Sequence, residues 1–387
     1  MSKIVWNKAT SNNIPQNTQW TVDISGSNMI AGDGGGDGHG GGGAVWYSVN
    51  SGISWNKVAS LPQSLWTSVV VDGNNMLACG FAGTAVWYST DAGTTWKTAS
   101  GVNIPQNKSW QDAAISGNNM IAVCSDSIMY SSDAGMTWKN KSTSIDEGWN
   151  CVAASGNNII VCGIGIGVGD PVWYSTDAGT TWKTVTGNGI PENLSWQFVA
   201  VDGNIMMACC PSAVWYSTDA GTTWKTVTGN GIPQNTTWYF VSVCGNDMLA
   251  CGDVIWHSPD AGTSWIKRSG ESAGWMANIS GNNILATDTN AVWYSLDAGT
   301  NLIKAVDNSI PQDGNWISVA VDSNTMIVGS NSGAIWTAAI PHNTPLTPPL
   351  TPPLTPRDRL HKYILIAIVI TICVLIAIAL RRYYNHR

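Results

Sequence analysis

Carboxylates repeated at a fixed spacing can do acid–base chemistry, or they can tie down a turn of backbone. Asp91, Asp133, Asp177, Asp219, Asp260 and Asp297 each stand third in one short phrase. Its fullest copies are Ser89-Thr-Asp91-Ala-Gly93-Thr-Thr95-Trp96, Ser175 to Trp182 and Ser217 to Trp224. Looser copies run from Ser131 to Trp138 and from Ser258 to Trp265, and decayed copies from Ser48 to Trp55 and from Ser295 to Leu302. In such a phrase Asp accepts bonds from nearby N–H groups and hydroxyls. The glycine (Gly93, Gly179, Gly221) supplies a backbone angle that other residues avoid. The tryptophan (Trp96, Trp182, Trp224) adds a large apolar surface. The reading is structural, and it removes the six aspartates from the candidate catalysts.

The phrase lies between two strand-like runs of a longer repeat. Each unit has a first run led by Trp, as in Trp196-Gln-Phe-Val199-Ala-Val201, and a second apolar run such as Met206-Met-Ala-Cys209. A third run reads Ala213-Val-Trp215-Tyr-Ser217, and a fourth, after the phrase, Trp224-Lys-Thr-Val227. Short apolar or alternating runs bounded by Gly, Asn and Asp read as strands. Four strands in about 42 residues is the size of a propeller blade. The leading tryptophan occurs eight times, at Trp20, Trp66, Trp110, Trp149, Trp196, Trp238, Trp275 and Trp316. The fourth run is missing at the end of the array and present at the start, as Val5-Trp6-Asn7-Lys8. The expectation is an all-β, eight-bladed β-propeller over residues 4–340, with Val5-Trp6 beside Ile335-Trp336. Closure by that strand removes the exposed edges of an open array.

The repeated phrase resembles the Asp-box, or BNR repeat, of the sialidase-like superfamily, and the likeness covers nearly the whole array. It implies that the boxes lie on the face opposite the usual ligand site. Sialidases bind an acidic sugar with three arginines, and residues 4–340 hold only Arg268. The Phe/Tyr-Arg-Ile-Pro motif is absent as well, so sialidase activity is rejected. Photosystem-assembly propellers share the repeat style, but their arginine-rich patch is missing here.

Charged residues make up 11% of the chain, with a net charge of −7 and no basic stripe, which argues against nucleic acid as partner. Eight of the nine cysteines lie in the array. Cys79, Cys124, Cys162, Cys209 and Cys251 recur in the second run and read as small buried apolar residues. Vicinal Cys209-Cys210, with Cys151 and Cys244 elsewhere, leaves a disulfide open. No cysteine or histidine spacing suits zinc. Asp33-Gly-Gly-Gly-Asp37-Gly-His39-Gly resembles Gly/Asp-rich calcium repeats, but it is a single copy and reads as a loop. No cofactor or metal is expected.

Composition changes after Ile340. Residues 341–358 form a Pro/Thr-rich stalk, extended at roughly 3.1 Å per residue. Residues 363–380 are apolar apart from Thr371 and, at about 1.5 Å per residue, long enough for a transmembrane helix. Arg359 and Lys362 precede this segment, and residues 381–387 form a short basic tail. The amino terminus lacks a signal-peptide core. The layout therefore reads as a single-pass, tail-anchored membrane protein with its propeller on the cytosolic side, similar in outline to membrane proteins of large DNA viruses. The charge bias across the span alone mildly favours the opposite topology. Five Asn-x-Ser/Thr sequons, at Asn107, Asn140, Asn193, Asn235 and Asn278, would report that topology if glycosylated.

Two classes of site remain. A glycoside hydrolase needs two carboxylates across a cleft. The acids expected on the face opposite the boxes are Asp126, Asp146, Glu147, Asp170, Glu192, Asp253, Glu271 and Asp288, and no pair stands out. Asp33, Asp126, Asp253 and Asp288 recur after the second run, which favours a turn role. The eight leading tryptophans could stack on sugar rings as a lectin surface, or each could fill the wedge between blades, and their regularity favours the wedge. The reading is a non-catalytic, membrane-anchored scaffold for a protein or glycan partner, with a carbohydrate-active enzyme or lectin as rival.

Overall fold

The computed structural model describes residues 4–341, apart from 36–41, 82–84, 102–103, 106–107, 143–147, 164–171, 186–189, 191–193, 229–231, 234–236, 269–274, 289, 307–309, 313 and 332. The stalk, the apolar segment 363–380 and the basic tail lie outside the described residues. So do Asp146, Glu147, Asp170, Glu192 and Glu271, and the centre of the Gly-rich loop.

The chain forms eight four-stranded antiparallel sheets, each a blade of a β-propeller. Seven are built in chain order. Blade 2, for example, runs Trp66–Asp72, Asn75–Gly80, Trp87–Ser89 and Lys97–Thr98. Blade 8 takes Trp316–Val321, Thr325–Ser330 and Ile335–Ala339 from the end of the array and Trp6–Lys8 from its start. In that closure Trp6 faces Ala338 and Lys8 faces Trp336, two to three residues from the expected juxtaposition. Val5 lies outside the ladder and is exposed, whereas Ile4 and Trp6 are buried.

The innermost strands contact one another in sequence, and the first strand of blade 8 meets that of blade 1, so the ring is closed. Apolar side chains do not pool in one core. They divide into eight clusters, one at each seam between neighbouring blades. This follows from strand alternation: each blade buries both faces, one against each neighbour. The second strands are accordingly buried almost throughout, as in Asn119–Cys124. Cys79, Cys124, Cys162, Cys209 and Cys251 are buried there as free thiols. Among the described residues, no helix is long and apolar enough to cross a membrane.

Candidate functional site

On one face of the ring, the boxes form a repeated hydrogen-bonded turn. In blade 4 the Ser175 hydroxyl donates to Asp177 Oδ1 at 2.8 Å and accepts the Gly179 N–H at 2.9 Å. The Thr181 N–H and hydroxyl donate to the two oxygens of Asp177, each at 2.7 Å. Asp91, Asp133, Asp219, Asp260 and Asp297 hold the corresponding bonds. The Thr181 hydroxyl and then its N–H hold the Asp177 carboxyl below the ordinary carboxylate range. Such acids are fully ionised acceptors, the wrong state for a general acid.

Two features of the turn were not read from the sequence. The alanine between Asp and Gly is also left-handed, at φ 54° for Ala92 and 55° for Ala178. Its N–H donates to the hairpin joining strands one and two of its own blade, as from Ala178 to Asn157 O at 2.9 Å. The glycine lies against the preceding blade: a Cβ on Gly221 would sit 2.7 Å from the Tyr174 ring, and one on Gly93 2.7 Å from Tyr47. The recurring Tyr-Ser of the third strand thus joins two blades, Tyr packing forward and Ser capping its own box. Blade 6 carries His257 instead of Tyr. His257 is wholly buried and sits 2.7 Å from Asp247, with Arg268 Nη2 at 3.2 Å on its other nitrogen.

The eight leading tryptophans fill the seams. They are between 0% and 4% exposed. Trp66 Nε1–H donates to Gly43 O of blade 1 at 3.0 Å, Trp20 to Gly333 O of blade 8 and Trp275 to Asp253 O of blade 6. The wedge reading describes them, and the stacking surface is corrected: a sugar platform needs an open ring face, and these present none. Trp196, Trp238 and Trp275 stand just ahead of their first strands, which begin at Phe198, Phe240 and Met276.

The face opposite the boxes opens on the channel through a cleft of about 550 Å³ formed by blades 8, 1, 2 and 3. In these four blades the residue after the leading Trp reaches it: Thr21, Thr67, Gln111 and Ile317 line the cleft with Gln19, Ser318, Leu65 and Phe81. In blades 2, 3, 4 and 8 a β-bulge falls at this position, freeing it from the ladder. Sequence reasoning named the Trp and missed its neighbour. The signal was present, because Trp holds the seam in all eight units while the next residue changes from blade to blade.

Below the mouth, side chains of the inner strands accept N–H groups from the next blade. Ser318 takes Val22, Asp23 takes Val71 at 2.8 Å, Ser68 takes Ala113, and Asp112 takes Val152 at 3.0 Å. Burial raises the Asp23 carboxyl to about 7, against the opposing bond from Val71. Burial also raises Asp112. In blades 5 and 6 the inner wall is instead the Phe198–Phe240 pair, with ring centroids 3.9 Å apart.

Several acids expected near the mouth are committed locally. Asp288 accepts from Asn290 N–H, Ala291 N–H and Trp293 Nε1–H. Asp33 is buried and accepts from Thr18 Oγ1–H and Gly35 N–H. Asp126 pairs with Lys108 at 2.5 Å. Among the described residues, no group of three or more His, Cys, Asp or Glu could hold a metal ion.

No protein-family model matches the chain, and no curated protein matches its sequence. Solved structures share the fold. The computationally designed Ika8 protein superposes with a TM-score of 0.62 at 13% identity, covering 86% of this chain and 99% of that one. BamB from Moraxella catarrhalis gives 0.55 at 14%, covering 87% and 98%. YCF48 from Cyanidioschyzon merolae gives 0.52 at 12%, covering 87% and 99%. At these identities the likeness is one of architecture.

Proposed function

We propose that this chain is a binding protein: a propeller that presents its channel mouth to a protein or glycan partner and is held at a membrane by residues 363–380. One observation carries the reading. The open cleft at the mouth is lined by uncharged hydrogen-bonding and apolar residues, while Asp33, Asp126 and Asp288 on the same face are tied into turns and one ion pair. A cleft of that size and lining suits recognition. Acid–base hydrolysis needs two carboxylates free to face a substrate. The boxes, whose repeat resembles that of the sialidase-like superfamily, supply scaffold on the other face.

Two experiments test this. The purified chain, screened against polysaccharides and aryl glycosides, should release no sugar, and sustained hydrolysis would replace the binding reading with an enzymatic one. The full chain should require detergent for extraction, and a truncation ending at Pro341 should not. A full chain that partitions into the aqueous phase would remove the anchor.

A further inference from the structure

The eight units offer an internal comparison. Where packing dictates a residue, the units agree, as with the leading Trp. The next residue is where they part, and it divides the ring into two arcs. Blades 1 to 5 carry Thr21, Thr67, Gln111, Asn150 and Gln197, all neutral hydrogen-bonding side chains. Blades 6 to 8 carry Tyr239, Met276 and Ile317. Four of the eight line the cleft directly. Tyr239 is 42% exposed, as an unsatisfied contact surface would be. The side-chain amides of Gln19 and Gln111 have no hydrogen-bond partner among the described residues.

We infer that the mouth takes an uncharged, extended peptide segment bearing an apolar side chain. This deepens the binding reading above and rests on it. The Gln19 and Gln111 amides at the cleft each offer one acceptor and a pair of donors, matching the C=O and N–H of a peptide unit. Ile317, which lines the cleft, and Met276 are branched or flexible groups, which suit a Leu-, Ile- or Phe-like side chain better than the face of a sugar, and Tyr239 adds one exposed ring between them and the polar arc. Leu65 and Phe81, each 41% exposed at the cleft, extend the same chemistry. None of the eight positions is charged, so a ligand charge brought there would lose water without compensation.

The test uses the full chain in detergent micelles and titration calorimetry. Its probes are acetylated, amidated octapeptides of Thr, Asn, Gln, Leu, Ile and Phe, the same peptides with a central Lys or Glu, and maltohexaose and cellohexaose. The uncharged peptides should bind, and a central charge should weaken binding at least tenfold. Gln111→Ala and Ile317→Ser should each weaken it about tenfold, the loss of one hydrogen bond or one apolar contact. Met136→Ala, an exposed apolar residue on a box turn, should change nothing. Binding of an oligosaccharide that Gln111→Ala abolishes would overturn the peptide inference and leave the binding reading intact. Equal binding of charged and uncharged peptides, or no binding by any probe, would also overturn the inference. Hydrolysis of a probe would overturn the binding reading itself.

Discussion

The two faces of the ring are built from the same repeat and differ in what the repeat fixes. On the box face, serine, aspartate, glycine and tyrosine recur because each holds a bond or contact in nearly every blade. At the channel mouth, the position after the leading Trp changes chemistry from blade to blade while the Trp before it does not. Repetition marks packing, and departure from it marks the surface free to be specific. Substitutions should therefore affect stability on one face and binding on the other.

The largest effect should come from the closure. Deleting residues 1–9 removes buried Ile4 and Trp6 and the outer strand of blade 8, reopening the ring. Its melting temperature should fall by well over ten degrees in calorimetry, and an unchanged value would mean that the ring does not depend on this strand. Trp196→Ala should cost about 3–5 kcal/mol in denaturant titration, as expected for a large residue emptied from a packed seam. A fold left stable by that change, with binding abolished, would return the tryptophans to the ligand face.

Asp23→Asn sharpens the comparison inside the channel. The folded state holds a proton on Asp23 up to about pH 7, whereas the unfolded chain gives it up near 3.8. Stability from this residue is therefore greatest below pH 4 and is lost as pH rises to 7. The amide can still accept the Val71 N–H, so the variant should gain about 2–4 kcal/mol at pH 8 and almost nothing at pH 4. Buried His257 has the opposite slope. Burial lowers its affinity for a proton, so its share of stability is lost as pH falls below about 6.5. Equilibrium unfolding of Asp23→Asn across this range would separate the two groups.

On the box face, Asp177→Ala should cost about 1–3 kcal/mol by leaving the Ser175 and Thr181 donors without their acceptor, while peptide binding at the mouth stays the same. Coupled loss of binding would break the separation between the faces. The smallest effect on stability, within about 0.5 kcal/mol, belongs to Gln111→Ala, whose side chain has no hydrogen-bond partner among the described residues.

The architecture was legible in the chain because its signals are local. Trp-led runs, glycine-bounded turns and a fourth strand displaced to the amino terminus count the blades and close the ring. The internal bonds of the box could be read for the same reason, since Ser175, Asp177 and Thr181 lie within seven residues. The partners across a seam were not legible. Asp23 meets Val71, and Tyr174 meets Gly221, only after two blades have formed and packed. The mouth was missed for a subtler reason. Strict alternation places every second residue on one side of a strand, but bulges at Thr67, Gln111, Asn150 and Ile317 break the count at the residue after the leading Trp.

The shared construction of blade 8 also sets how the ring would bear tension. The strand Ile335–Ala339 runs straight to Pro341, and Ile340 N–H is anchored to Asn324 O at 2.7 Å. That strand is gripped on one side by Thr325–Ser330 and on the other by Trp6–Lys8. A pull along it loads both ladders lengthwise, so many bonds share the force and none is peeled in turn. The amino-terminal segment that closes the circle thus also acts as the outer jaw of a clamp on the chain's exit.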